Sequence, residues 1–346
     1  MRIALTADPE IPAPPVYYGG IERVIDMVAR NLVARGHEVT LFAHPASTCP
    51  VAKVAWPGAS SVSRIDTIRN ASLLARRVAR REFDLVHSFS RLAYLTPILP
   101  FAIPKLMSYQ REITPGTVGL ANRLSRGSLL FSAISRQMAR PVANIGRWRI
   151  VPNGVAIEAY AYRAAIAADA PLVFLGRVEE IKGPHIAIEA ARRAGRKLII
   201  AGNVADAHRQ WFNAQIAPHL DAERVSYVGP VDDAQKNDLL GRAYALLMPI
   251  VWEEPFGIVM TEAMACGAPV IGFRRGAVAE VVESGVTGFV VDTLDEMVDA
   301  IARAGMLDRS ACRARVETHY SDNVVTDGYL KLYDEMTSRS RQAPGA

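Results

Sequence analysis

Residues 244–273 read YALLMPIVWEEPFGIVMTEAMACGAPVIGF. An apolar run over 244–248 gives way to a loop containing Pro255 and two acids. A helix-compatible segment follows, bounded by Gly257 and Gly267, and then a second apolar run over 269–273. Strand, helix and strand in that order form the unit from which parallel sheets are built. Glu254 falls in the loop before the predicted helix, Glu262 in its second turn, and the amides of Phe256, Gly257 and Ile258 between them. Carboxylates accept hydrogen bonds from hydroxyl groups, and unpaired N–H groups at a helix start receive phosphate oxygens. The combination reads a polyhydroxylated diphosphate. An exposed loop acid followed by a helix-surface acid would produce the same letters, so the pair alone decides little.

The same alternation extends in both directions. Upstream and downstream of the quoted unit, strands are predicted at 172–175, 197–201, 225–228 and 288–291, each run leading into helix-compatible sequence. An earlier series is predicted at 2–7, 38–43, 84–88, 105–109, 130–134 and 149–152. After the first of these, Ile21, Val24, Ile25, Val28 and Leu32 form one helical stripe, and Gly36 supplies a left-handed cap. Residues 160–169 show no strand pattern and read as a linker. The expected architecture is α/β, with two doubly wound domains facing across a cleft, over residues 1–155 and 156–321. Ligands of open parallel sheets bind beyond the carboxyl ends of the strands, so such a cleft suits two substrates, one per domain.

The composition agrees with this. The chain has 346 residues, of which 50% are hydrophobic and 22% charged, proportions of a folded globular protein and not of a disordered or fibrous one. The longest stretch without Lys, Arg, Asp or Glu, 39–52, is 14 residues and too short for a membrane-spanning helix. Met1-Arg2 leads straight into Ile3-Ala4-Leu5 without the pattern of a secretory signal, so a cytoplasmic location is expected. Cys49, Cys266 and Cys312 share no close spacing, which supports neither a disulfide framework nor a zinc site. Residues 1–150 carry 20 Lys and Arg against 9 Asp and Glu, and the remainder 20 against 26, so the halves stand at +11 and −6. A basic front half fits an anionic acceptor, peripheral contact with an anionic membrane at its inner face, or an ordinary solvated surface. Six arginines at 64, 69, 76, 77, 80 and 81 flank the series Ile65, Ile68, Ala71, Leu74 and Val78, whose spacing predicts one helical face packed on a sheet.

Two further motifs stand at strand ends. Tyr17-Tyr18-Gly19-Gly20-Ile21-Glu22 opens the first predicted helix, and paired glycines let backbone amides approach an anion, or simply make a turn. Neither Gly-x-Gly-x-x-Gly nor a Walker A sequence occurs, which argues against a dinucleotide dehydrogenase or a P-loop phosphotransferase. Arg177 and Lys182 both follow the strand at 172–175, where two fixed cations would neutralise a diphosphate, or remain solvated loop charges.

Taken in order, Gly19-Gly20-x-Glu22, Val151-Pro-Asn153-Gly154, Gly176-Arg177 to Lys182-Gly183 and Glu254-x7-Glu262 in its Glu-Pro-Phe-Gly setting resemble the retaining glycosyltransferases of family 4, which have the GT-B fold of two Rossmann-like domains. The resemblance spans essentially the whole chain. It implies a hexose-type sugar moved, with retained configuration, from a nucleoside-diphosphate sugar held mainly by the second domain to a hydroxyl acceptor held mainly by the first. UDP is the expected carrier. It implies that Arg177 and Lys182 hold the diphosphate and Glu262 the ribose, with Glu254 and the Phe256-Gly257-Ile258 backbone on sugar and phosphate. Gly19 and Gly20 would close over the phosphates, and the base would lie near Gly202 and Val231. The helix at 322–337 is expected to return to the first domain, leaving a flexible tail over 338–346.

The implied chemistry needs no cofactor or divalent metal, because cations and helix amides stabilise the leaving diphosphate, which itself helps take the acceptor proton. In keeping with this, the sequence has no Asp-x-Asp. The acceptor would be a glycan, a lipid-linked glycan or a small molecule, and no nucleic acid partner is expected. One departure stands out: where the family often has Thr-x-His, this chain has Ser108-Tyr109-Gln110, and Gln110 can contact a sugar or acceptor hydroxyl but cannot act as a base. His87, at the end of the strand at 84–88, is the other front-domain candidate, either orienting a substrate or satisfied within the strand–loop junction. A sugar-nucleotide epimerase can use the same two-domain fold, and the other alternative is a non-catalytic sugar-nucleotide binder, against which the intact Arg177, Lys182, Glu254 and Glu262 argue. Only a transferase releases free sugar slowly from the donor and needs an acceptor.

Overall fold

In the computed structural model, which describes residues 1–15 and 19–342, the alternation resolves into two parallel sheets in two units, Met1–Asn153 with Asp322–Ala346 and Gly154–Ser321. The first unit contains β1 (Arg2–Thr6), β2 (Glu38–Ala43), β3 (Ala52–Ala55), β4 (Leu85–Ser88), β5 (Lys105–Tyr109), β6 (Leu129–Ala133) and β7 (Trp148–Ile150). Their order across the sheet is β3-β2-β1-β4-β5-β6-β7, every neighbouring pair parallel. The second unit contains β8 (Leu172–Leu175), β9 (Leu198–Ala201), β10 (Val225–Gly229), β11 (Ala245–Met248), β12 (Val270–Phe273) and β13 (Gly288–Val291), in the order β10-β9-β8-β11-β12-β13. Each sheet reverses its strand order once, between β1 and β4 in the first and between β8 and β11 in the second.

Helix Gly20–Ala34 buries Val24, Ile25, Val28 and Leu32 and ends in paired bonds from Gly36 N to Val33 O and from His37 N to Leu32 O, with Gly36 left-handed at φ 79°. Helix Ile258–Ala265 ends the same way, with Gly267 N on Met264 O and Ala268 N on Ala263 O. The two cores are separate clusters, one built on residues such as Phe42, Leu74 and Phe131, the other on Phe174, Ile200 and Leu247.

Three expectations need correction. Strand β3 is absent from the sequence reading, because AKVA is a short, mostly exposed edge strand with no apolar period. The arginine-flanked helix, Arg64–Ala79, buries Ala71, Leu74 and Val78, but Ile65 and Ile68 are 64% and 65% exposed. Its first half is instead turned toward the Gly58 loop, where the buried Asn70 side chain receives Gly58 N at 2.8 Å and donates to Gly58 O at 3.1 Å. Finally, the last helix does not stop at Thr337 but runs over Asp322–Gln342, within the first unit. It is tied to helix Gly20–Ala34 by Asn31 Nδ2 on Asp322 Oδ2 at 3.0 Å and by Arg35 with Asp327 at 3.1 Å.

Candidate active site

In the second unit the chain leaves β8 toward β9 and β10, then returns to place β11 on the other side of β8. The loops that follow β8 and β11 therefore part in opposite directions, which opens a crevice at the carboxyl ends of those strands. These loops carry the residues singled out in the sequence. They are stitched together by Val251 N donating to Ile181 O at 3.0 Å. Gly183, left-handed at φ 74°, lies so close to Pro249 that a Cβ there would come within 2.0 Å of the Pro249 carbonyl oxygen.

From the first loop, Lys182 reaches across the stitch and places Nζ 2.5 Å from Glu254 Oε2, with the ammonium 4.7 Å from the centre of the Trp252 ring. Trp252 Nε1 donates to the same oxygen at 3.0 Å. Both of these bonds use Oε2, and none reaches Glu254 Oε1 from the described residues. The turn after Glu254 is fixed by Ala277 N donating to Glu254 O at 2.8 Å and by the Phe256 ring, 5.7 Å from Tyr320. Helix Ile258–Ala265 then starts from Gly257, left-handed at φ 78°, with no side-chain cap. No acceptor among the described residues takes the amides of Phe256, Gly257 and Ile258, so this helix start is open to an anion.

Glu262, in the second turn, is buried, and its Oε1 accepts from Lys236 Nζ at 2.5 Å and from the Tyr160 hydroxyl at 2.8 Å. Its Oε2 is unpartnered among the described residues. Both acids thus use one oxygen to hold their position and keep the other for a further donor. Arg177 takes a different carboxylate, Glu179, at 2.8 Å, while His208 Nε2 lies 3.2 Å from the other Glu179 oxygen. The two cations after β8 therefore have separate partners. Gly202 follows β9 and is pressed on Gly176, and its carbonyl accepts from Tyr227 at 2.8 Å. Val231, half-buried, follows β10.

In the first unit, Gly19 caps helix Gly20–Ala34 with φ 149°, where a Cβ would meet Pro15 and the buried Glu22 at under 3 Å. Tyr17 and Tyr18, which open that motif, lie outside the described residues. Gln110 is buried directly after β5. His87 requires correction: it is wholly buried, with Nδ1 2.6 Å from the Tyr333 hydroxyl and Nε2 2.7 Å from Ser108 Oγ. Burial lowers its pKa well below the ordinary value and both nitrogens are engaged, so it packs the last helix against the sheet and presents nothing to a substrate.

Sequence reasoning missed Tyr160, Lys236 and the anchoring part of Trp252. Lys236 was findable: it shares a helical face with Leu239 and Leu240, and a lysine on an apolar face is buried only with a partner. Tyr160 carried no signal, standing at the start of a segment without pattern.

Among the described residues no group of His, Cys, Asp or Glu gathers as a metal-ligand set, and no helix is long and apolar enough to cross a membrane. Two family models match the chain, Glycosyltransferase Family 4 over residues 18–159 and Glycosyl transferases group 1 over residues 165–316. A phosphatidyl-myo-inositol mannosyltransferase of Mycolicibacterium smegmatis is 25% identical over 97% of this chain and 94% of that protein. Among solved structures, a sucrose-phosphate synthase from Thermosynechococcus elongatus is similar at a TM-score of 0.80 and 21% identity, over 98% of this chain and 99% of that one. Anabaena Alr3699/HepE, solved in complex with UDP and glucose, is similar at 0.75 and 19%, over 97% and 100%. These two structural likenesses show the fold, which is GT-B.

Proposed function

The chain belongs to the group 1, family 4 glycosyltransferases, and from that premise we propose that it moves a hexose-type sugar from a nucleoside-diphosphate sugar to a hydroxyl acceptor, retaining the anomeric configuration and using no divalent metal. The observation that carries the donor reading is the strand-order reversal at β8 and β11, where Lys182, Glu254 and an uncapped helix start share two stitched loops. UDP is the favoured carrier, supported by the UDP complex of the structurally similar HepE.

In this reading Lys182 and the amides of Phe256, Gly257 and Ile258 take the diphosphate, with Arg177 beside them. The free oxygens of Glu254 and Glu262 accept from sugar and ribose hydroxyls, and the base lies near Gly202 and Val231. Gly19 and Gly20 offer a second glycine-opened helix start for phosphate. As the bond from anomeric carbon to phosphate oxygen breaks, negative charge grows on the leaving diphosphate, where a lysine and oriented amides stabilise it more than they do the ground state. The acceptor oxygen bonds to the same face of the sugar, and its proton passes to the departing phosphate oxygen. His87, sealed in the core, has no part in this.

The test is donor turnover, read as release of free sugar and nucleoside diphosphate from UDP-glucose, UDP-galactose and GDP-mannose in the presence of EDTA. We expect slow hydrolysis of one donor that persists with the chelator, and a fall of roughly 10² to 10³ in Lys182→Ala and in Glu254→Ala, the loss of one transition-state contact. Near-normal turnover in both variants would remove these residues from the site, and complete loss in EDTA would overturn the metal-free chemistry. The proposal includes peripheral contact of the first unit with an anionic membrane surface at the cytoplasmic face. Ile65 and Ile68 support this, because they stand exposed among arginines.

A further inference from the structure

A cavity of about 570 Å³ lies wholly within the first unit, beyond the carboxyl ends of β4 and β5 and beside the loop after β1, where that sheet reverses its strand order. Its polar side, which also includes Ser90, Arg91, Arg111 and Glu112, carries two side chains held out of water without full compensation. Gln110 is 8% exposed, and neither its amide oxygen nor its amide nitrogen has a partner among the described residues. Asp8 is 7% exposed, with Oδ2 3.0 Å from Arg111 Nη2 and Oδ1 unpartnered. The hydroxyl of Tyr109, in the same lining, is a fourth atom unpartnered among the described residues, and since buried polar atoms are almost always paired, four in one cavity lining point to a ligand that pairs them. Asp8 Oδ1 and the Gln110 oxygen need donors and the Gln110 nitrogen an acceptor, a set that neighbouring hydroxyls supply.

The remaining walls do not suit a free sugar. Leu92 and Leu99, Met107, and Leu120 and Leu124 of helix Pro115–Leu124 face the same space. Leu120 and Leu124 are exposed despite being leucines. Val62 stands exposed on the rim and leads, at a spacing of three, to Ile65 and Ile68. An apolar wall continuous with an exposed apolar stripe calls for a ligand with an apolar body that extends outward.

We propose that the acceptor is an amphiphile, its hydroxylated head held by Asp8 and Gln110 and its apolar remainder lying along Leu99, Leu120 and Leu124 toward Val62. This inference rests on the glycosyltransferase reading but is tested without turnover. Titration calorimetry would compare n-octyl β-D-glucopyranoside, below its micelle concentration, with methyl β-D-glucopyranoside, on wild type, Leu120→Glu and Asp8→Asn. UDP would be titrated into the same samples. The octyl compound is expected to bind at least tenfold tighter than the methyl one, Leu120→Glu to abolish that difference, Asp8→Asn to weaken both about tenfold, and all three proteins to bind UDP alike. Equal binding of the two glucosides, no binding of either, or an octyl affinity unchanged in Leu120→Glu would overturn the amphiphile. An Asp8→Asn protein that binds both glucosides as wild type does would overturn the head assignment. Failure of UDP to bind while the glucoside results hold would sink the donor reading alone.

Discussion

Lys182 was legible as a candidate because, with Arg177, it stands in the loop that follows a strand of a doubly wound sheet, where ligands bind, whereas its partner had to be seen. The ammonium sits on Glu254, so the cation and the acid, far apart in the sequence, form one unit, braced by Trp252. His87 shows the opposite. A histidine at a strand end reads as functional or structural with equal ease, and only its two short bonds to Tyr333 and Ser108 decide. Lys105 left no mark in the sequence at all: it is fully buried at the start of β5, donating to Phe101 O at 2.6 Å and Ile103 O at 2.9 Å, with no carboxylate partner among the described residues. Burial lowers its pKa to about 7. With the folded value below the unfolded one, the unfolded chain binds the extra proton, so stability is lost as pH falls toward the folded value. Melting temperature is therefore expected to fall from pH 8.5 to pH 7 more steeply in wild type than in Lys105→Met. Parallel profiles would show that Lys105 keeps its ordinary pKa.

Elements were legible wherever burial was one-sided. The stripe of helix Gly20–Ala34 and its glycine stop could be read directly, whereas the helix after β11, buried on every side from Met260 to Ala265, was marked only by its bounding glycines. Edge strand β3 and the first half of helix Arg64–Ala79 were not. There the partner is a loop or solvent, and neither imposes a period. The contact between the two donor loops was also invisible, since it depends on Gly183 meeting Pro249 across strands that are neighbours only in space. Gly183→Ala is expected to destabilise the protein well beyond the roughly 1–2 kcal/mol of left-handed strain that Gly195→Ala costs, because Gly195, at φ 64°, has open space where a Cβ would go. Urea denaturation of both variants checks this, and equal losses would mean that the loops are not pressed together. For helix Arg64–Ala79, exchanging Ile65 and Ile68 together for glutamate is expected to reduce co-sedimentation with phosphatidylglycerol vesicles and to leave the weak background on phosphatidylcholine unchanged. Unaltered sedimentation would remove this face from membrane contact.

At the scale of the whole molecule, the repeated strand–helix alternation and the break in it near residue 160 made two parallel sheets predictable, and the return of helix Asp322–Gln342 to the first unit followed only from the family resemblance. The charge difference between the halves follows the division of labour proposed here. The more basic front half carries the cavity proposed for the acceptor and the exposed isoleucines, while the acidic second half holds the site cations Arg177 and Lys182 after β8 and Lys236 on Glu262. What sequence could not supply was the acceptor's character, because the cavity that argues for it is assembled from residues 8 to 124, scattered over several loops and helices.

The central claim is that the carboxyl ends of β8 and β11 receive a nucleoside diphosphate through Lys182 and the amides that follow Glu254. Titration calorimetry with UDP, GDP and ADP in EDTA, on wild type and Lys182→Ala, tests it most directly. The account predicts saturable binding of at least one of the three by wild type and at least tenfold weaker binding by the variant. Absence of binding for all three, or equal affinity in both proteins, would contradict it.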